Sequence, residues 1–169
     1  MKLLIVNQHF YPEVAATGQL IDDLAEDLTN KGIDVTILTG RPSYIGNIKV
    51  PKKEIRKGYK IIRLKSTALD KNGVLGNFKR IINYISFYFC VFFKLLFMNN
   101  YDSLMILTTP PLIGIIGVWI KKLKKIRFIY VVQDLYPDIA IDLNVIKQGY
   151  IAYKSEQIAK KIYKNADDI

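Results

Sequence analysis

Residues 2–40 constrain the fold more than any other stretch, because they read as one βαβ unit. Leu3 to Val6 is apolar at every position, as expected for a strand buried on both faces of a parallel sheet. A helix follows, ended by Gly32, and Ile33–Leu38 is predicted to form a second buried strand. The apolar face of this helix carries Leu20, Ile21, Leu24 and Leu28. Its polar face carries Asp22, Asp23, Glu26 and Asp27.

Strand and helix patterns keep alternating through the rest of the 169 residues. Such alternation predicts an α/β domain: Rossmann-like, three-layered and mostly parallel, with no internal domain boundary. A long loop is predicted over residues 41–58. The further strands are predicted at Tyr59–Lys65, Ser103–Leu107 and Ile126–Val132, with another beginning at Ala166–Ile169. The further helices are predicted at Asn77–Met98, Pro111–Lys124 and Gly149–Asn165.

The loop Asn7–Gly18 is expected at the carboxyl edge of the sheet, where open α/β folds bind ligands. It is not a GxGxxG dinucleotide loop, since Gly18 is its only glycine. It holds the only histidine, His9, together with Thr17 and Glu13. An acidic, aromatic loop suits a polyol or sugar better than a diphosphate. A lone histidine in such a loop also has an ordinary structural reading.

Polar residues follow two further strands and are candidates for the same edge. Thr109 follows the fourth strand, where its hydroxyl could hold a sugar or phosphate oxygen or simply form a turn. Gln133 and Asp134 end the fifth strand. Asp134 could accept hydrogen bonds from an acceptor or act as a base, as Glu13 could; a helix-capping or turn role is the alternative. The sequence contains no P-loop, HExxH or CxxC motif.

The chain carries a formal net charge of +10, concentrated at residues 41–65 and 121–127. Solvated loops and helix ends explain such clusters, and so does an anionic membrane surface. Nucleic acid is disfavoured, because no HTH, RRM or zinc-finger context surrounds them. The single cysteine, Cys90, excludes an internal disulfide and fits a reducing cytoplasm.

The helix predicted at Asn77–Met98 is apolar nearly all round. A core helix is one interpretation, although a crossover helix normally shows a polar face. Partial insertion into a membrane interface is the other, with Phe92 and Phe93 among the lipid and Lys79 and Arg80 near its phosphates. A spanning helix is disfavoured, because it would pull one crossover out of the sheet.

Several sequence words occur together in one order: QHFYPE after the first strand, LAEDLTNKGIDVTILTGRPSY around the second, LTTPPLIGI at the fourth, VVQDLYPDIAIDL at the fifth, and KNADDI at the end. In these words the chain resembles family 4 glycosyltransferases of bacterial surface-polysaccharide synthesis. Within that family it looks most like the amino-sugar (fucosamine-type) transferases of O-antigen and capsule pathways.

The resemblance implies half of a GT-B fold and retaining transfer from a nucleotide sugar to a lipid-linked saccharide, without an obligatory metal or other cofactor. The nucleotide sugar is bound mainly by a C-terminal domain in such enzymes, and this chain resembles only the acceptor-side half. We therefore expect residues 1–169 to be a single N-terminal domain, truncated before the donor domain and inactive alone. The donor domain would follow in cis or come from a partner chain.

The implied location is cytoplasmic, peripheral on the inner face of the cell membrane. The alternative is a non-catalytic Rossmann-like module that binds membrane or a partner subunit.

Overall fold

The computed structural model describes residues 1–13, 15–42, 50–69 and 76–169, and one six-stranded sheet organises them. The strands are β1 (Lys2–Val6), β2 (Asp34–Thr39), β3 (Lys53–Arg56), β4 (Tyr59–Arg63), β5 (Ser103–Leu107) and β6 (Arg127–Val131). Their order is β3-β4-β2-β1-β5-β6, and every neighbouring pair except β3–β4 is parallel. Without β3, this is the strand order of doubly wound dinucleotide-binding folds.

Helices cover both faces of the sheet. They are α1 (Ala16–Asn30), α2 (Gly76–Phe97), α3 (Gly114–Lys124), α4 (Asp138–Asp142) and α5 (Tyr150–Asn165). Leu3 and Ile5 of β1 share a core cluster with Ile21 of α1. Leu4 and Val6 point the other way, into a second cluster formed mainly with α2, α3 and α5. The predicted three-layer, mostly parallel α/β domain is confirmed.

The long loop predicted over 41–58 is wrong in its last part, because β3 lies inside it. Lys57 and Gly58 both have positive φ, 47° and 88°, and close a tight hairpin onto β4. This edge strand is short and mostly charged, which hides it from a hydrophobic-pattern argument. Residues 43–49 of the predicted loop lie outside the described residues.

Two helix boundaries also differ from the prediction. α3 begins at Gly114 rather than Pro111, because Leu112 adopts a left-handed conformation (φ 62°) that a continuing helix excludes. α4 was not predicted, since five residues are too few for a periodic signal. The strand predicted to begin at Ala166 is supported, because Asp168 forms a parallel bridge with Ile129 of β6.

The face of α1 that meets the sheet is rotated from the predicted one. Leu20 and Leu24 are 57% and 37% exposed, whereas Gly18, Ile21 and Ala25 are buried. Small side chains at Gly18 and Ala25 let the helix approach the sheet closely. As a result, the leucines beside them turn outward.

Helix α2 has a buried stripe, as the core-helix interpretation requires, and an exposed apolar stripe on its other side. Its insertion into a membrane interface stays a prediction. Phe87, Val91 and Leu95 are fully buried against the sheet. Within the described residues, 78–97 is the one stretch long and apolar enough to cross a membrane, with a mean hydropathy of 1.5. Its buried stripe makes it a crossover helix instead. The exposed stripe consists of Phe78, Ile81, Ile85, Phe89, Phe93 and Phe97.

Candidate functional site at the carboxyl edge of the sheet

The strand order places a topological switch point between β1 and β5. From β1 the chain proceeds to β2 and β4 on one side, and later to β5 and β6 on the other. Loops leaving neighbouring strands in opposite directions open a crevice at the carboxyl ends, where such folds bind ligands. The walls of this crevice are the loops after β1 and β5. They are joined where the backbone N–H of Gln8 donates to the Thr109 carbonyl over 3.3 Å.

The loop after β1 is held in one conformation by buried polar contacts. His9 Nδ1 lies 2.8 Å from Glu13 Oε2, and both side chains are buried. The Asn7 side-chain amide donates to the His9 carbonyl over 2.6 Å. Such contacts fix the loop before any ligand arrives, which lowers the ordering cost of binding.

The β3–β4 hairpin supports the same loop from the side. Buried Arg63 donates to the Tyr11 carbonyl and to Glu54, each over 2.8 Å. The Arg56 guanidinium lies 3.9 Å from the centre of the Tyr11 ring. A guanidinium at this distance from an aromatic ring is attracted to its face.

A third segment reaches the crevice after β6. Thr17 Oγ1, in the first turn of α1, donates to Gln133 Oε1 over 3.2 Å. The backbone N–H of Gln133 donates to the Thr108 hydroxyl over 3.3 Å. Asp134 follows with an exposed side chain. The loops after β1, β5 and β6 are thus linked to one another at one edge.

The seven predicted site residues lie at this common edge, although not equally open to a ligand. Gly18 is buried beneath the loop, where an added Cβ would lie 3.6 Å from the His9 carbonyl oxygen. Glu13 has a side chain only 2% exposed and faces His9. This arrangement favours Glu13 as the residue that orients His9, and leaves Asp134 as the solvent-facing carboxylate. Their roles in catalysis or binding stay predictions.

Asn7 and Gln8 are residues of this edge that the sequence argument missed. Asn7 is fully buried and Gln8 is 6% exposed. Among the described residues, Asn7 Oδ1 and Gln8 Oε1 are buried acceptors without a hydrogen-bond partner. Two polar residues directly after an all-apolar strand were a usable signal, the same one that singled out Gln133 and Asp134. Buried acceptors of this kind are costly unless a ligand or water satisfies them.

The strongest charge network of the described chain lies away from this crevice, on the α1 face. Burial opposes ionisation of Asp22, but hydrogen bonds from Arg56 and Tyr59 outweigh it and hold the Asp22 pKa below its usual value. Burial and the bond to Asp22 raise the pKa of Tyr59. Four cations of the predicted basic stretch 41–65 have acidic partners here or nearby: Arg56, Lys57, Lys60 and Arg63. That stretch is therefore less open to an anionic surface than its sequence suggests.

A hollow of about 530 Å³ lies at the opposite, amino edge of β6. Two of its cations are already paired, Lys121 with Asp167 at 2.6 Å and Arg127 with Asp168 at 2.7 Å. It is far from the linked loops, so its size does not make it the functional site. Within the described ranges, no group of three or more His, Cys, Asp or Glu side chains could hold a metal ion.

The residues predicted to meet a membrane divide between two environments. Arg80 and Phe93 are exposed, and Lys79 is partly exposed near the start of α2. Phe92 is half-buried and packs edge-on against Trp119 of α3, with ring centres 5.9 Å apart. Because α3 covers one side of Phe92, only its other side is open to solvent, and the membrane contact of all four residues stays a prediction.

The chain is similar to two solved plant structures. One is a UGT transferase from Siraitia grosvenorii in complex with UDP, at 11% identity and a TM-score of 0.46, with 76% of this chain and 27% of that chain covered. The other is UGT89C1 from Arabidopsis thaliana complexed with UDP-L-rhamnose, at 13% identity and a TM-score of 0.42, with 76% and 32% covered. The chain thus spans less than a third of either structure. No family model matches it, and no curated protein does.

Proposed function

We propose that this chain is the acceptor-binding half of a GT-B glycosyltransferase. It would hold a lipid-linked saccharide while a donor domain, in cis or on a partner chain, presents a nucleotide sugar for retaining transfer in surface-polysaccharide synthesis. The observation that carries the proposal is the linkage of three loops around one crevice at the switch point. Three of the words that resemble family 4 glycosyltransferases, QHFYPE, LTTPPLIGI and VVQDLYPDIAIDL, supply these loops.

The chemistry of the crevice suits a saccharide. Its rim offers a carboxylate at Asp134, an amide at Gln133 and a hydroxyl at Thr109, which can accept from or donate to sugar hydroxyls. Beneath the rim, Asn7 and Gln8 present the buried acceptors described above. Because these two oxygens have almost no solvent-accessible surface, the rim residues are the ones that a saccharide would contact.

Asp134 is proposed as the carboxylate that contacts the acceptor hydroxyl, and Glu13 as the group that holds His9 in place for it. Both actions need the donor in position. The chain alone is therefore expected to give no turnover with UDP-sugars and a lipid-linked saccharide, since positioning requires both substrates together. Turnover by the purified chain would contradict the half-enzyme assignment.

The test is binding of a saccharide acceptor to the isotope-labelled chain, followed by amide NMR shifts. Saturable shifts are expected in the loops after β1, β5 and β6. The variant Asp134→Asn should weaken binding by about tenfold, as expected for loss of one charge-assisted hydrogen bond. Asp23→Asn is the matched control, since Asp23 is an exposed carboxylate on α1. Equal effects in both variants, or shifts confined elsewhere, would remove the site from this edge.

With a donor domain present, Glu13→Gln and Asp134→Asn should each lower kcat/KM and leave the melting temperature nearly unchanged. In Glu13→Gln, the glutamine keeps an oxygen that can accept a hydrogen bond from His9. A loss of activity in this variant would therefore be due to the lost negative charge and not to a lost hydrogen bond. Wild-type kinetics in both variants would remove the two carboxylates from the reaction.

The second candidate function is a non-catalytic module that docks on a membrane or partner. The exposed apolar stripe of α2 favours it, because nothing in the sugar-binding proposal requires six apolar side chains in water. Anionic membrane binding and saccharide binding are compatible. The module becomes the better description only if membrane binding is observed and saccharide shifts are not.

A further inference from the structure

An apolar groove of about 400 Å³ lies between α2 and α3. Its volume falls within the range of small-molecule pockets, roughly 300–1,000 Å³. A helix about 10 Å across would need a much larger trough. Its lining consists of Ile85, Tyr88, Phe89, Phe92, Ile115, Ile116 and Trp119.

The lining is mostly apolar, and only Tyr88 and Trp119 carry polar side-chain groups in it. The Tyr88 hydroxyl already donates to the Pro111 carbonyl, which leaves the indole N–H of Trp119. Burial raises the pKa of this phenol, so it stays neutral. A peptide laid in this groove would leave its backbone groups without partners. A hydrocarbon chain has no such groups.

One end of the groove lies next to the loop after β5, at the carboxyl edge. Ile115 and Ile116 belong to the first turn of α3, directly after the β5 loop that carries Thr109. The bond from Tyr88 to Pro111 ties α2 to that same loop. A ligand with its polar head in the crevice could therefore extend its apolar tail between the two helices.

The charge around the groove selects the kind of head group. Neither α2 nor α3 contains an aspartate or glutamate. Lys79 and Arg80 lie near the start of α2, which is at the carboxyl edge because α2 follows β4. Lys121 and Lys122, in the last turn of α3, lie toward the other end, at the amino edge. Cations at both ends of a groove whose two helices carry no carboxylate favour an anionic amphiphile over a neutral one.

We propose that the α2–α3 groove binds one hydrocarbon chain of an anionic lipid, the lipid part of the acceptor whose saccharide occupies the crevice. The identification of the lipid as part of the acceptor rests on the proposed function. The binding of a hydrocarbon chain in the groove does not. It also differs from membrane docking, in which the exposed stripe of α2 as a whole would meet lipid.

Trp119 makes the groove directly observable, because it is the only tryptophan of the chain and lines the groove. The probe is undecanoic acid brominated at its last carbon, kept below the concentration at which it forms micelles. Bromine quenches indole fluorescence at contact, so saturable quenching reports a chain seated beside Trp119. Absence of saturable quenching would overturn the proposal.

A series of brominated acids of increasing length separates a groove from a surface. Affinity should rise about fourfold per added methylene, which converts from ~0.8 kcal/mol per buried CH₂. The rise should stop once the groove is filled. A rise without a plateau would indicate partition into a surface layer and contradict a bounded site. Equal quenching by the brominated alcohol at low salt would contradict the preference for an anion.

Two matched pairs of variants place the site. Ile85 and Ile81 are 48% and 53% exposed on α2, and only Ile85 lines the groove. Ile85→Glu should weaken binding at least about tenfold, while Ile81→Glu leaves it within about twofold. Phe89→Ser and Phe97→Ser form the second pair, with Phe89 in the lining and Phe97 outside it. Equal losses within a pair would refute the groove, and circular dichroism confirms that each variant is folded.

The same samples separate this proposal from the proposed function. Saccharide-induced NMR shifts without quenching would remove the groove and leave the sugar site. Quenching without saccharide shifts would leave a lipid groove and remove the acceptor assignment. Both signals together, with tighter saccharide binding when the brominated acid is bound, is the expected result.

Discussion

The two faces of the sheet are formed by the same strands, but the helices that cover them expose different side chains to water. On the α1 face, outward acids are paired with cations of the β3–β4 hairpin: Asp22 with Arg56 at 3.0 Å and Glu26 with Lys57 at 2.6 Å. On the α2 face, the outward stripe is apolar and aromatic, from Phe78 to Phe97. The buried stripes also differ, because α1 buries Gly18, Ile21 and Ala25, whereas α2 buries larger side chains such as Phe87 and Leu95.

The comparison shows that, among the described residues, charged side chains of α1 have partners in the hairpin, whereas the exposed apolar stripe of α2 remains open to solvent. Ion pairs join Asp22 and Glu26 of α1 to the hairpin. The outer surface of α2 exposes six large apolar side chains in one stripe, and contiguous apolar patches are typical of surfaces that contact a membrane, lipid or partner. Variants on the two faces should therefore show separately which side chains contribute to the free energy of unfolding and which contribute to membrane binding.

The largest effect on folding is expected from the inner stripe of α2. Phe87→Ala should lower the free energy of unfolding by about 3–5 kcal/mol, because Phe87 is fully buried and its removal leaves a cavity. Urea titration measures it. Phe89→Ala, two residues along and 61% exposed, should change that free energy by less than about 0.5 kcal/mol. Similar losses would show that α2 has no free face.

How far the sequence predicted this fold follows from the kind of signal each element carries. β1 and β5 are short apolar runs, and α2 is long and periodic, so local pattern defines them. β3 escaped prediction because four mostly charged residues become a strand only through pairing with β4. The rotation of α1 also needed the sheet, since Gly18 and Ala25 are recognised as contact residues only once their distance to it is known.

The candidate site divides in the same way. Strand ends are readable from sequence, so His9, Thr109 and Gln133 could be placed at one edge before the sheet order was known. The contacts among them could not. Thr17 meets Gln133 across 116 positions of sequence because α1 starts beside the β6 loop. Arg63 supports Tyr11 only because β4 lies next to β2 in the sheet.

The second-largest effect on folding is expected on the α1 face, at Asp22. Asp22→Asn should lower the free energy of unfolding by about 1.5–3 kcal/mol, the range for hydrogen bonds to a charged group. It would weaken the contacts of Asp22 with Arg56 and Tyr59 together. Asp23→Asn is the control, because Asp23 is exposed on the same helix. Equal stability of the two variants would mean that the ion pairs do not close this face.

The pH dependence of stability gives an independent check on Asp22. Its pKa is lowered in the folded chain, so its contribution is fully present above the ordinary value of 3.8 and is lost as pH falls through the folded value. Asp22→Asn should therefore flatten the acid limb of the stability curve below that pH. An unchanged acid limb would assign the dependence to other carboxylates.

A somewhat smaller effect concerns how closely the helices approach the sheet. At Gly117 of α3 an added Cβ would lie 2.3 Å from a ring carbon of Phe128, so Gly117→Ala should cost about 1–3 kcal/mol through overpacking. Gly18→Ala on α1 meets only ordinary contacts from 3.6 Å and should be neutral or stabilising by up to about 1 kcal/mol. Thermal unfolding measures both. Equal tolerance would show that α3 can move away from the sheet.

The smallest effect on folding should accompany a large effect on membrane binding. Phe93 is 52% exposed, so Phe93→Ser should leave the free energy of unfolding within about 0.5 kcal/mol. If α2 meets lipid, binding of the chain to vesicles should rise with anionic lipid, fall with added salt and drop about tenfold in this variant. Ile55→Ser is the matched control, because Ile55 is 75% exposed on β3, beside the paired charges of the other face. Cosedimentation with vesicles of defined phosphatidylserine content measures the binding. If vesicle binding falls as much in Ile55→Ser as in Phe93→Ser, any exposed apolar side chain promotes adsorption. The two faces would then differ in their contribution to stability but not in membrane binding.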